Sequence, residues 1–523
     1  MLLFVLIAIV ALALVAKRAA IAYPIAFVVG GSLLAFIPSL PPIEIQPQYI
    51  FLIVLPPLLF SGGWVTDWRE FRANLRPIGL LAIGLVAATT VIVGVVAHQI
   101  IPSLGWGAAF ALGAIISPPD AVAASAIFER FSVPSRIITI LEGEGLVNDA
   151  SALVIYQFAI AAVVTGAFSF GRALGAFVLV ALGGVAVGLG VALLMEIVTR
   201  WLAKVELNDS LLDSVLTLVA PFAAYLPADA LHVSGVLAAV SAGIYLGRRS
   251  ATIMSPEARL TAQAVWSLLI FLLNGLVFLL IGLELRQLVR DPSFSAHTIL
   301  VGALISVIVI VVRILWVFPA TYLPRAVSKQ IAERDPKPSW RLVSIVAWSG
   351  MRGIVSLAAA LALPLYAFGG GPFPHRSEII FITFCVIVAT LVFQGLSLAP
   401  IIRWLGIGEG EALSRREVEV RIAALRAGLE HLTSLEQRFT STEEWTVVGR
   451  IKAEYEYRIE HLRGHLSGHT GQPLGTRVDH WLEGEALAAE RSAIMRLRRE
   501  GKIPDEVFRR IEYDLDLAQG RLR

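Results

Sequence analysis

The stretch ILEGEGLVNDASALVIY sets Glu142, Glu144, Asn148 and Asp149 in an otherwise apolar segment. A second apolar stretch, GAIISPPDAVAASA, carries Asp120 directly after Pro118 and Pro119. Two deep basic residues stand elsewhere, Arg313 in VIVIVVRILWVF and Arg352 between Gly350 and Gly353 in WSGMRGIVSL. An ionised side chain in hydrocarbon is costly, so it is kept where it is paired or where its charge is used. Two arginines are enough to hold two of the carboxylates Asp120, Glu144 and Asp149 permanently. The third is then free to exchange its proton for a cation, and Asp149 is assigned that role. A proton and a hard monovalent cation competing for one carboxylate is ion exchange in its simplest form.

The elements that carry these groups are membrane spans. The 523 residues are 57% hydrophobic and 16% charged, with a mean hydropathy of +0.75, which is too apolar for a soluble globular chain. Windows of roughly 20 apolar residues recur about thirteen times, and the opening MLLFVLIAIVALALVAKR reads as a retained first span. Lys and Arg alternate between loops as the positive-inside rule requires. One set runs from Lys17 and Arg18 through Arg69, Arg130, Arg136, Arg200, Arg248, Arg259 and Arg325 to Arg403, while the other holds only Arg172, Arg286, Arg290 and Arg376. This puts the N-terminus outside and the C-terminus in the cytoplasm.

Asp149 falls 13 residues after Arg136, roughly 20 Å along a helix and so near mid-membrane. Gly143 and Gly145 flank Glu144, so the first turns of this sixth span, Ile137 to Val164, are expected to deviate from ideal helix and to admit water or the close approach of a neighbour. Glu144 and Asn148 are i,i+4 neighbours and Asp149 points about 100° away, so Asn148 is placed to link the two carboxylate-bearing faces. The paired prolines of the fifth span, Gly105 to Ala126, make a continuous helix unlikely to persist there, and the glycines around Arg352 interrupt the twelfth, Leu342 to Tyr366. One broken span in each half of the chain points to an inverted-repeat secondary transporter with its site between the breaks. Asp120 reads equally as a stabiliser of the break or as a cation ligand. Gly184 and Gly188 read as a close helix contact.

After Leu405 the composition turns charged and helix-favouring, giving residues 1–405 as the membrane domain and 406–523 as a helical cytoplasmic tail. Within the tail, LSGHTGQPLGTR reads as a loop, and Ile494 and Leu497 pair with Val507, Ile511 and Leu515 across a GKIPD turn. The single cysteine, Cys385, excludes an intrachain disulfide and a thiolate metal cluster. Stretches such as HExxH or GxSxG are absent, so no enzyme activity, cofactor or nucleic-acid partner is expected. A cation channel gated by the tail is the alternative from another class; no repeated filter-like segment supports it.

In ISPPDAVAASAIF, LEGEGLVNDASALV, RILWVFPATYL and GMRGIVSLAAALALP the chain resembles the monovalent cation/proton antiporter family that includes bacterial sodium/proton antiporters and animal sodium/proton exchangers. The resemblance covers roughly residues 1–405. It implies an all-α fold of 13 transmembrane helices with crossed broken helices, a dimerisation subdomain, a moving core subdomain and a homodimer in the bacterial inner membrane. It further implies exchange of Na+, or of K+ or Li+, for H+. Asp149 would be the cation and proton carboxylate, Asn148 its supporting neighbour, and Asp120 part of the crossing. Glu144 would pair with Arg313, and Arg352 would compensate the broken-helix ends. The Asn148–Asp149 pair accompanies electroneutral members. Three positions depart from the family pattern: Gly145 for a serine, Pro119 for a threonine, and Ser61 for an acidic residue. Backbone carbonyls or water must replace those side-chain oxygens.

Overall fold

Backbone amides in hydrocarbon must be paired within their own segment, and the apolar runs are accordingly helical. The computed structural model describes residues 2–38, 47–128, 131, 133–165, 170–205, 209–291, 294–367, 371–407, 411–436, 442–466, 474–500, 502, 511 and 514–515. Among them there is no β-strand, and the chain divides into two units, Met1–Glu409 and Gly410–Arg523.

The first unit holds α1 (Leu2–Ala19), α2 (Tyr23–Leu34), α3 (Ile50–Val65), α4 (Trp68–Ala73), α5 (Leu75–Ile100), α6 (Trp106–Ile116), α7 (Ala121–Phe128) and α8 (Ser135–Thr165). It continues with α9 (Phe170–Lys204), α10 (Ser210–Ala230), α11 (Gly235–Ile253), α12 (Pro256–Arg290), α13 (Ala296–Val327), α14 (Lys329–Arg334), α15 (Trp340–Trp348), α16 (Ile354–Leu361) and α17 (Arg376–Trp404). Eight segments among the described residues are long and apolar enough to cross a membrane, with shorter apolar helices beside them. Several starts are written locally. Ser234, Ser255, Ser295 and Ser339 each accept a hydrogen bond from an amide in the first turn of the helix that follows, the usual role of serine at that position.

Glycine sets the closest crossings, since van der Waals contact rather than apolar burial drives helix association in lipid. A Cβ on Gly63 of α3 would lie 2.6 Å from the Val240 carbonyl oxygen of α11, and one on Gly31 of α2 would meet the Leu279 carbonyl of α12. Gly184 and Gly188 abut the Ser234 and Ala238 carbonyls of α11, the close contact expected of that spacing. The glycines of the sixth span act in the same way and not as breaks. Helix α8 runs unbroken from Ser135 to Thr165, with Gly143 against Ile78 and Phe71 and Gly145 against Ala121. Of the two expectations for these glycines, the deviation from helix is corrected and the close approach of a neighbour is what the structure has. Turns of wider π type occur at Ile50–Val54, Leu80–Leu85 and Thr390–Gln394; in the second, the Leu80 carbonyl accepts from Trp316 Nε1 at 3.0 Å.

Three arginines meet one carboxylate at the Arg-rich end of this unit. Asp335 accepts from Arg76 Nη2 at 2.5 Å, Arg136 Nη2 at 2.7 Å and Arg325 Nη2 at 2.6 Å, tying the connection after α14 to α5, α8 and α13. Burial pushes the Asp335 carboxyl up, but the hydrogen bonds and charges of Arg136 and Arg325 outweigh it and hold the group below its ordinary value.

In the second unit α18 (Glu411–Glu436) and α19 (Thr442–Leu466) pack together around buried Ile422, Val448 and Ile459. Helix α20 (Leu474–Arg499) begins inside the stretch expected to be a loop: Leu474 to Arg477 are helical, while 467–473 lie outside the described residues. The expected pairing across GKIPD lies largely outside them too, including Val507, as do Arg130 and the side chain of Arg172.

Because the folded-state pKa of Asp335 is depressed, its contribution is complete above the ordinary carboxylate range near ~4 and is lost as pH falls through the lowered folded value. Asp335→Asn is expected to lower the unfolding temperature of the detergent-solubilised protein at pH 7. The gap to the parent should stay constant down to about pH 5 and close below about pH 4, as read by thermal melts over a pH series.

Candidate functional site

The two broken spans cross at their breaks. Helix α6 ends at Ile116 and α7 starts at Ala121; α15 ends at Trp348 and α16 starts at Ile354. The Asp120 amide donates to the Met351 carbonyl at 2.7 Å, so each break is laced to the other. Four helix ends thus converge inside the protein, two with unpaired amides and two with unpaired carbonyls.

Each kind of end has its counter-charge. The Asp120 carboxylate accepts from the Val122 amide at 2.9 Å, which caps α7, and a Cβ on Gly353 at the start of α16 would collide with the same carboxylate. Gly353 therefore needs to be glycine, because the acid occupies the space where a side chain would begin. Arg352 is fully buried, at 0% exposure. Its Nε donates to the Ile116 carbonyl at 2.6 Å, its Nη1 to the Gly350 carbonyl, and its own amide to Thr390 Oγ1 at 3.0 Å. One guanidinium thus answers the carbonyl ends of both broken helices. The sequence-based argument that each deep arginine holds one carboxylate is corrected here: Arg352 binds carbonyls, and Asp120 is held by helix amides.

Glu144 and Arg313 do pair. Nη1 and Nη2 of Arg313 reach Oε1 and Oε2 of Glu144 at 2.6 and 2.8 Å, both side chains 1% exposed. The Val346 carbonyl of α15 accepts from Arg313 Nε and Nη2 at 3.2 and 3.1 Å. The two-pronged geometry is the strong form of this interaction, and it joins α8, α13 and α15. Asn148, also fully buried, donates from Nδ2 to the Pro119 carbonyl at 2.7 Å. It ties α8 to the neighbouring break and does not link the two carboxylate-bearing faces of its own helix, which corrects that expectation. Its Oδ1 is buried without a hydrogen-bond donor among the described residues.

Asp149 is turned elsewhere. It is half-buried and lines a cavity of about 1050 Å³ together with Asp120, Glu142, Ser61, Ser125 and Arg259. No described hydrogen bond or ion pair involves its carboxylate. The lining comes from α3, α7, α8 and α12 and includes Ser250, Pro256 and Arg259. Among the described residues, no group of three or more His, Cys, Asp or Glu could hold a metal ion. All six site residues singled out from sequence therefore cluster at or beside the crossing.

Sequence reasoning missed the helpers. Thr390 receives the Arg352 amide, and Gln394 Nε2 donates to the Trp348 carbonyl at 2.9 Å, both from the π-type turn of α17. The signal was a buried amide in the run ATLVFQGLSL. It also missed that Glu196, Asp213 and Glu284 are buried acids. Glu196 is explained by Tyr245, whose hydroxyl donates at 2.6 Å, and by Arg200 at 2.6 Å.

A family profile described as "Sodium/hydrogen exchanger, transmembrane" matches residues 4–404. An uncharacterized Na(+)/H(+) exchanger of Mycobacterium tuberculosis is 33% identical over 508 residues, covering 95% of this chain and 91% of the relative. A protein of Bacillus subtilis named sodium, potassium, lithium and rubidium/H(+) antiporter is 32% identical, covering 92% and 72%. The solved structure of a sodium proton antiporter from Methanocaldococcus jannaschii superposes with a TM-score of 0.59 at 18% identity over 77% of this chain and 97% of that one, a likeness of fold. With its profile spanning all of the membrane unit's broken-helix crossing and its relatives matching nearly end to end, the chain belongs to the sodium/hydrogen exchanger family of multi-pass membrane proteins.

Proposed function

We propose that this protein is a secondary active antiporter that exchanges one monovalent cation, sodium first, for one proton at Asp149. The observation that carries this reading is the distribution of partners among the deep charges. Glu144 is bound by Arg313, Arg352 by helix carbonyls and Asp120 by the Val122 amide, while the Asp149 carboxylate lines the cavity with neither a hydrogen bond nor an ion pair among the described residues. Burying an unpaired charge is unfavourable, so Asp149 gains from binding either a proton or a cation, and one carboxylate does not hold both. Asp120 and Asn148 shape the site: the first caps the break beside it, and the second offers a buried Oδ1 with no donor of its own. One exchangeable carboxylate supports electroneutral, one-for-one exchange.

The cavity that Asp149 lines also includes Arg259 of the arginine-rich loops, and the Lys and Arg asymmetry supports their side being cytoplasmic. On this reading the structure is inward-open, and the half of the molecule built on α5–α8 and α13–α17 moves to expose Asp149 to the other side. Exchange of K+ or Li+ as well is the second reading. It is favoured by the breadth of cations in the name of the Bacillus subtilis relative and by Gly145, Pro119 and Ser61, which leave few side-chain oxygens to fix cavity size.

In proteoliposomes with an imposed pH gradient, added Na+ is expected to collapse the gradient with no dependence on membrane potential. Asp149→Asn should abolish this while the protein remains folded; normal exchange by that variant would show that another group is the carrier. Arg313→Ala acts on stability instead. It leaves Glu144 buried without its partner, a loss of about 3–5 kcal/mol for such pairs, so thermal unfolding should drop sharply, and an unchanged melt would refute the structural role of the pair.

A further inference from the structure

Several buried hydroxyls of this protein are satisfied by the carbonyl one helical turn back. Thr90 donates to Val86, Ser151 to Val147, Ser306 to Gly302 and Thr383 to Ile379, a common arrangement for such side chains. Ser356 does not follow them. It lies in the first turn of α16, so the residue four positions back is Arg352, which stands in the break and not in the helix. The Ser356 Oγ is buried with no hydrogen-bond partner among the described residues, and the residue is 1% exposed. The interruption that makes the crossing also takes from this hydroxyl the acceptor that a continuous helix would give it.

Its surroundings give the orphan a use. Ser356 lines the same cavity as Asp120 and Asp149. Gly353, three residues earlier, abuts the Asp120 carboxylate. Val355, next to it, packs against the apolar cluster that includes Leu146 and Ala150, which stand on either side of Asp149 along α8. The first turn of α16 and the Asp149 stretch of α8 thus share one cluster and one cavity. A buried hydroxyl left without a partner costs free energy, and at a cavity wall it recovers this from whatever the cavity holds. Its lone pairs are hard oxygen donors, the kind that ions of the sodium type take.

We propose that Ser356 is a ligand of the transported cation, giving its Oγ lone pairs to the ion that the Asp149 carboxylate holds. This deepens the antiport reading given above and rests on it. Gly145 and Pro119 bring no side-chain oxygen to the site, and the Ser61 hydroxyl is already spent on the Leu58 carbonyl at 2.9 Å. Ser356 supplies an oxygen from the second broken span. The hydroxyl is neutral, so it adds affinity for the cation without adding a second charge to the exchange.

The test is collapse of a pH gradient by Na+ in proteoliposomes of the full chain, with KM for Na+ and maximal rate measured for the parent, Ser356→Ala and Ser356→Cys. Loss of one neutral ligand of hydrogen-bond strength should raise KM by about two- to tenfold with the maximal rate retained. Ser356→Cys keeps the size but replaces oxygen by a soft sulfur, so its KM should rise as that of Ser356→Ala does. Thermal melts add a readout that a structural role would not give. Removing an unpartnered hydroxyl should leave the melt of Ser356→Ala in choline chloride unchanged or raised, while the added stabilisation by NaCl is smaller than in the parent. An unchanged KM for Ser356→Ala overturns the proposal. A parent-like KM for Ser356→Cys also overturns it, by making volume and not oxygen the cause, as does a lowered melt of Ser356→Ala in choline chloride, which would make the hydroxyl structural. Asp149→Asn run alongside separates the two ideas: if it is inactive while Ser356→Ala behaves as the parent, only the ligand role fails, and if it exchanges normally, the carrier assignment fails and the ligand role with it.

Discussion

A charge buried at mid-membrane must be answered nearby, and that constraint organises the first unit. Helices α6, α7, α15 and α16 bring amide and carbonyl ends together far from water, where each unpaired group costs free energy. The chain answers them with one acid and one base. Asp120 caps the amide end of its own break and abuts Gly353 of the other, while Arg352 binds a carbonyl in each. Glu144 and Arg313 then fasten the sixth span to α13 and α15. With the charges at the crossing answered in this way, the state of Asp149 becomes the variable in the proposed exchange.

The same interactions that permit the breaks also stiffen the surroundings of the proposed carrier site. Asn148 joins α8 to the Pro119 carbonyl, so the residue next to Asp149 is fixed to the wall of the break. The cluster of Arg76, Arg136 and Arg325 on Asp335 ties α5, α8 and α13 together at the other end of the same helices. A body held at both its middle and its end is suited to move as one piece, as the proposed alternating-access exchange requires.

Much of this was legible in the sequence, and the reasons are specific. Pro118, Pro119 and the glycines around Arg352 announce broken helices because they remove donors or side chains that a continuous helix needs. Rare charges in apolar runs announce a site because lipid makes them costly. What the sequence left open is what each group touches. Gly143 and Gly145 read either as a local deviation from helix or as room for a neighbour, and contact with Ile78, Phe71 and Ala121 decides for the second, since glycine permits close approach as readily as it permits a bend. Charge counting made Arg352 a partner for a carboxylate and the family resemblance made it the compensator of the broken-helix ends; its acceptors are helix-end carbonyls, as the second reading had it, and carbonyls are what every residue carries and no sequence marks. Thr390 and Gln394 were hidden because a π-type turn gives no periodic signature.

The central claim is that one carboxylate exchanges a proton for a cation, and proton release on cation binding reads it most directly. Purified protein in weakly buffered detergent solution at a pH where Asp149 carries its proton is titrated with NaCl, against choline chloride as control, while released protons are counted. The account predicts about one proton released per cation bound, and none from an Asp149→Asn variant. Cation binding with no proton released, or undiminished release from that variant, would contradict it.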